Sequence, residues 1–268
     1  MGCSWQPVRA ARDSLDPVAH YDIALGYWTE RRFADFEHFW DGRYQEAFSR
    51  FDRVLGSVNL KRWDDVPDVL FWYHGLAAAH SLRYDVAVRD FRLLLDRSLA
   101  RERADTIIRS HHLEANEIRY VLATLYRRGQ RPDDALPLYQ EALTHDLSLY
   151  MAHTQLAEIY EERKQWIEAI AERRRAIDAN PEDASLPYDL GRTLAHSRDF
   201  PEAAQVLKDA MSANPSNSRI PYTLGHVLLR LGDREGARAA FDRFVASAPS
   251  RFASQVSEVQ RQLDGLGQ

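Results

Sequence analysis

The chain has 268 residues, 45% hydrophobic and 28% charged, with a formal net charge of −5 and a pI near 6.1. That composition is globular rather than disordered, and the acidic balance argues against nucleic acid as a partner, which needs a basic footprint to neutralise phosphates. One cysteine excludes an internal disulfide and a multi-cysteine metal site, and the apolar runs Val69 to Tyr73 and Leu76 to Ala79 fall far short of the roughly 20 residues of a membrane helix.

Residues 1–16 read as an N-terminal tether, and Met1-Gly2-Cys3-Ser4 admits two readings. Gly-Cys-Ser matches the end of a bacterial lipobox, whose cysteine is lipidated, but the apolar stretch that precedes such a cysteine is missing from the sequence as given. The chain is then a periplasmic lipoprotein with a truncated N-terminus, membrane-bound only through Cys3. The other reading is a cytoplasmic protein with a free Cys3. Myristoylation fits poorly, because Gln6 stands where Ser or Thr is favoured.

Residues 17–61 form the first helical unit. The spacing predicts one long helix near 17–41 and a second at 44–57, with Ile23, Ala24, Tyr27, Ala47, Phe51 and Val54 as its register residues. This unit carries about eleven residues beyond the later repeat length, three helical turns that keep an apolar face aligned. A short separate helix around Phe33 to Trp40 is the alternative. The aromatics Trp28, Phe33, Phe36, Phe39 and Trp40 either pack internally or form a surface for a homo-oligomer; sequence leaves both open.

From residue 68 onward the chain is periodic. Ala176 to Pro181 (AIDANP) and Ala210 to Pro215 (AMSANP) set the phase, and Pro181, Pro215 and Pro249 are each 34 residues apart. Units 150–183, 184–217 and 218–251 place Ala157, Gly191 and Gly225 at the eighth position, behind Leu156, Leu190 and Leu224 at the seventh. The twentieth holds Ala169, Ala203 and Ala237, and the twenty-seventh Ala176, Ala210 and Phe244. Unit 116–149 repeats the pattern with Leu122, Ala123, Tyr126, Ala135, Tyr139 and Ala142, although Leu147 replaces the proline; unit 68–101 follows through Gly75, Ala87 and Phe91. Glu102 to Ala115 is a charged insertion, either a helix extension or a loop. Residues 252–268 carry Val256, Val259 and Leu263 at helical spacing, as a C-terminal capping helix should.

Small residues at positions 8 and 20 let two helices approach closely, and larger ones fill the space between them. Asn180 and Asn214 suit helix ends, Pro187, Pro201 and Pro221 suit first turns, and Gly129 and Gly232 punctuate the turn within a pair. Pro137 is less comfortable, within the opening turns after Asp133 and Asp134.

Leu-Gly at 7 and 8, an aromatic at 11, Ala at 20, an aromatic at 24, Ala at 27 and Pro at 32 resemble the tetratricopeptide repeat (TPR). The resemblance implies an all-α chain, an α-solenoid of stacked antiparallel helix pairs in a right-handed TPR superhelix over 17–251. It further implies that positions 2, 5, 6, 9, 12 and 13 line a concave groove for a protein or peptide ligand. Position 5 gives Tyr21, Trp72, Tyr120, Thr154, Tyr188 and Tyr222. Position 9 adds Arg192 and His226, and positions 12 and 13 add Arg127, Arg128, His196 and Arg230. Aromatics beside arginines suit an extended chain, but tyrosine at position 5 also serves packing, and both readings stand. The Lys and Asn set with which TPR co-chaperones clamp a terminal carboxylate is absent; unit 150–183 has Thr154, Gln155 and Glu158.

Catalytic chemistry finds little support. His111 and His112 precede Glu114 but point to different sides of a helix, and HExxH, GxSxG, GxxxxGK[ST] and GxGxxG are all missing. Glu158, Glu161 and Glu162 read as a solvated face, and Arg173, Arg174 and Arg175 as a charged convex surface. The expected protein is therefore a non-enzymatic TPR scaffold with no cofactor, no metal and no catalytic residue. The alternatives are an envelope-assembly TPR lipoprotein anchored through Cys3, which only that cysteine and the repeat number support, and a TPR regulator sensing a peptide or small ligand.

Overall fold

The computed structural model describes residues 44–57, 68–103, 115–146 and 149–266. The predicted helix at 17–41, its alternative, Tyr21, Cys3 and the His111–Glu114 cluster lie outside the described residues. Among those described there is no strand, and no helix is long and apolar enough to cross a membrane. The architecture is an all-α solenoid in which consecutive helices pack in pairs.

The chain divides into two compact parts, residues 1–141 and 142–268, with the boundary inside the last turns of one helix. The first part contains α1 (Tyr44–Ser57), α2 (Asp68–His80), α3 (Tyr84–Arg103), α4 (Ala115–Arg128) and most of α5 (Pro132–His145). The second contains α6 (Tyr150–Glu162), α7 (Trp166–Ala179), α8 (Leu186–His196), α9 (Phe200–Ala213), α10 (Arg219–Leu231), α11 (Arg234–Ser247) and, after a 3₁₀ turn at Ser250–Phe252, α12 (Ala253–Leu266). Helix α3 runs two residues past the end of its repeat, into the charged insertion.

The register explains the packing. The alanines at position 20 (Ala87, Ala135, Ala169, Ala203 and Ala237) are all sealed from solvent. Position 24 holds the large buried partner: Phe91, Tyr139, Arg173, Leu207 and Phe241. Position 8 must be small because position 24 of the same pair lies against it. A Cβ built on Gly191 would stand 2.7 Å from Leu207, and one on Gly225 would stand 2.4 Å from the Phe241 ring. In the second part, Leu190, Leu194, Leu207, Leu224, Leu228, Phe241, Phe244 and Val259 form one continuous core.

Each described pair turns the same way. The first helix ends in a residue of positive φ: Leu82, Gln130, Lys164, Arg198 and Gly232. Around each, the next amide donates back to the carbonyl five residues earlier, as Arg83 does to Ala78 (2.8 Å), Gln165 to Tyr160 (2.8 Å) and Asp233 to Leu228 (3.0 Å). The left-handed residue's own amide bonds three residues back, completing a Schellman motif. Only Gly232 is a glycine at that place. Gly129 sits in its turn, but the left-handed residue there is Gln130, one position later. Asp199 and Asp233 then cap the following helices, accepting from the amides of Glu202 and Gly236.

One sequence expectation fails. Arg173 is 1% exposed rather than part of a charged surface. Its Nε and Nη2 donate to Glu161 Oε1 at 3.0 and 2.8 Å, and Thr193 Oγ1 donates to the same oxygen at 2.6 Å. Position 24 is interior in the five repeats from residue 68 onward, so a cation there must bring its carboxylate with it. In α1 the register expected from Ala47 and Phe51 fails, since both are half-buried while Tyr44, Phe48 and Leu55 are buried. Glu161 is that carboxylate and is held inward, while Arg174 and Arg175 stay exposed and pair with Glu202 and Glu172.

Candidate functional site

The sequence-predicted residues in the first part are used largely for packing. The Trp72 ring meets Phe91 edge-on with centroids 5.0 Å apart, and Tyr120 tilts against Tyr139 at 5.7 Å. Position 5 thus rests on position 24 of its own pair, with part of each ring still reaching the surface. Arg127 lies in the last turn of α4 and is half-buried.

The second part builds a cavity of about 630 Å³ between α8 and α10 and the turn that follows α8. Its wall comprises Arg192, Ala195, His196, Arg198, Phe200, Tyr222, Thr223, His226, Val227 and Arg230. Five residues named from the sequence, Arg192, His196, Tyr222, His226 and Arg230, meet here because α8 and α10 are the first helices of consecutive repeats. Tyr188 stays off the wall, its hydroxyl 3.5 Å from that of Thr223.

The rings are set by packing. Tyr222 stands edge-on to His226 at 4.6 Å and tilts against Phe244 at 5.0 Å, while His226 lies edge-on to Phe241 at 5.1 Å. Burial raises the Tyr222 hydroxyl's pKa above its ordinary value, and Glu258 adds to this, so the group remains a donor. Burial lowers the His226 pKa; Arg230 pushes the same way and Glu258 opposes. The imidazole is therefore held neutral at neutral pH, and its Nε2 is covered without a hydrogen-bond partner among the described residues.

The charge is one-sided. Arg192, Arg198 and Arg230 contribute three guanidiniums to the wall, and no carboxylate lines it. Arg192 is loosely held, since Glu161 and Asp189 each stand 3.7 Å from its Nη2, beyond hydrogen-bond length. Arg198 and Phe200 were not legible as wall residues. Arg198 lies in the Schellman turn and Phe200 is the first residue of α9, so neither belongs to a first-helix face. Thr223, at position 6, fell within the groove pattern but carried no distinguishing chemistry.

Elsewhere, two histidines are buried on carboxylates. His74 Nδ1 is 2.5 Å from Asp90 Oδ2, and His153 Nδ1 is 2.6 Å from Glu172 Oε2. Both acids occupy position 23, and no nucleophile accompanies either pair in the bonds described. Among the described residues no cluster of His, Cys, Asp and Glu is arranged to hold a metal ion.

A stack of helix pairs in a fixed 34-residue register, joined by recurring turns, defines a helical-repeat protein of the interaction-scaffold class. Tetratricopeptide repeat models match residues 74–151 and 154–218, and a second such model matches 194–263; the chain belongs to the tetratricopeptide repeat family. An uncharacterized protein of Haemophilus influenzae is 28% identical over 95 residues, covering 35% of this chain and 53% of that one, so the match spans about half of the relative's length. The C-terminal part of a TPR repeat-containing protein from Cytophaga hutchinsonii superposes with a TM-score of 0.65 at 14% identity, over 85% of this chain and 84% of that one. A structure of MamA superposes at 0.57 with 19% identity, over 70% and 94% of the two chains. At such identities the likeness is one of fold.

Proposed function

We propose that this TPR protein is a non-enzymatic scaffold that holds a segment of a partner protein against the first-helix face of its repeats, and that the cavity between α8 and α10 is its principal contact point. The observation that carries this reading is the cavity itself. Fixed aromatic side chains and loosely held cations share one wall of about 630 Å³, within the size range of binding pockets. Tyr222 and Phe200 offer contact area at little entropic cost, and the arginines offer directional donors. Tyr188 is read as a further point on the first-helix face of the second part, and Trp72, Tyr120 and Arg127 as contact points on the first-helix face of the first part.

The test uses peptides recovered from an array that tiles the host proteome. Arg192→Glu combined with Arg230→Glu should weaken recovered peptides about tenfold or more, since reversing desolvated interface charges costs more than ~1.4 kcal/mol. Unchanged binding by the folded double variant would remove the cavity from the account.

A further inference from the structure

The cavity wall also says what kind of segment it takes. Three guanidiniums and two imidazoles face one space, and no wall residue is acidic. Arg198 and Arg230 have no ion-pair partner among the described residues, and Arg192 only shares carboxylates at 3.7 Å. Contrast Arg173, one repeat earlier, whose Nε and Nη2 both donate to one oxygen of Glu161 and which is closed over. The repeats therefore neutralise an arginine where packing requires it, hold Arg192 between two more distant carboxylates, and leave Arg198 and Arg230 without an ion pair among the described residues. Arg198 and Arg230 are exposed, so water screens their mutual repulsion in the free protein, and an anion placed between them gains charge-assisted hydrogen bonds as the ligand covers the space.

The rest of the wall is apolar. The partly exposed Phe200 and Tyr222 rings would remain wet beneath a purely charged ligand, losing the contact they can provide. The ring's orientation is fixed by Phe244 and His226, so it forms a preset surface.

We infer that the cavity recognises an acidic peptide segment in which one bulky apolar side chain is flanked by aspartate or glutamate. The apolar side chain lies on Tyr222 and Phe200, and the carboxylates reach Arg198 and Arg230 on either side. Arg192 can turn from its distant carboxylates to join them. This rests on the reading of the cavity as a peptide site.

The experiment selects a randomised displayed-peptide library against the full chain, in parallel against the Arg198→Glu/Arg230→Glu variant and against Tyr222→Ala. Circular dichroism melts establish that each variant is folded. The expected wild-type pool is enriched in Asp and Glu around one aromatic or large aliphatic residue. The charge-reversed variant should lose that acidic enrichment, and individual wild-type peptides should bind it ten- to a hundredfold more weakly. An acidic pool that both variants retain would place acid recognition elsewhere and overturn the inference. A neutral or basic pool that depends on Tyr222 would overturn the acidic inference while leaving the peptide site intact. A pool indifferent to all three substitutions would remove both.

Discussion

Arg173 shows how much one side chain can be misread from its neighbours. In the run Arg173-Arg174-Arg175 nothing distinguishes the first residue, yet it occupies position 24, where other repeats place Phe91, Tyr139, Leu207 and Phe241. Register, not composition, gives it away. Arg173→Met should cost about 3–5 kcal/mol by leaving Glu161 facing the interior without its cation. Adding Glu161→Leu should recover a substantial part of that loss, because an apolar pair needs no compensation. Chemical denaturation of the two single variants and the double variant measures the coupling. His226 supplies a pH signature. Its pKa in the folded chain lies below its unfolded value, through burial and then Arg230, so the unfolded chain binds the proton more readily. Its contribution to stability is complete above about pH 6.5 and diminishes as pH falls from there toward the folded value. His80 is lowered likewise, by burial and then Arg128. The melting temperature should therefore drop between pH 7.5 and 5.5. His226→Asn should flatten part of that drop, and a slope unaltered by the substitution would remove His226 from its cause.

At the scale of elements, the helix pair was legible because its constraints are local and repeated. Alanine at position 20 and a small residue at position 8 follow from close approach, and the structure adds the partner that enforces the second: position 24 of the same pair. Gly225→Ala would drive a methyl into the sealed Phe241 ring, and should cost about 1–3 kcal/mol in denaturant unfolding. The turn was less legible. Glycine marks the left-handed residue only at Gly232, while Leu82, Gln130, Lys164 and Arg198 adopt the same backbone without it. The Schellman hydrogen bonds, which leave no mark on side-chain identity, hold them there. Lys164 is exposed and its side chain makes no described bond, so Lys164→Gly should gain up to ~1 kcal/mol by relieving a left-handed strain. Loss of stability in that variant would show that the turn is held by more than its backbone.

At the scale of the molecule, a 34-residue period was enough to predict a solenoid, because each pair buries its apolar face only against its neighbours. Function was legible only in kind. The groove positions brought Arg192, His196, Tyr222, His226 and Arg230 to one cavity, whereas Trp72 and Tyr120 rest on the aromatic of their own pair. Sequence periodicity places side chains on a helix face but cannot tell a ring used for packing from one left open. It also omits the turn residue Arg198 and the opening residue of α9, Phe200, which is why both emerged only from the folded chain. The measurement that bears most directly on the binding role is NMR perturbation mapping of the full chain during titration with a recovered peptide. The account predicts shifts concentrated on α8, Arg198 to Phe200 and α10, with the side chains of Tyr222 and His226 among the largest. Shifts confined to the second helices α9 and α11, with those residues unmoved, would contradict it.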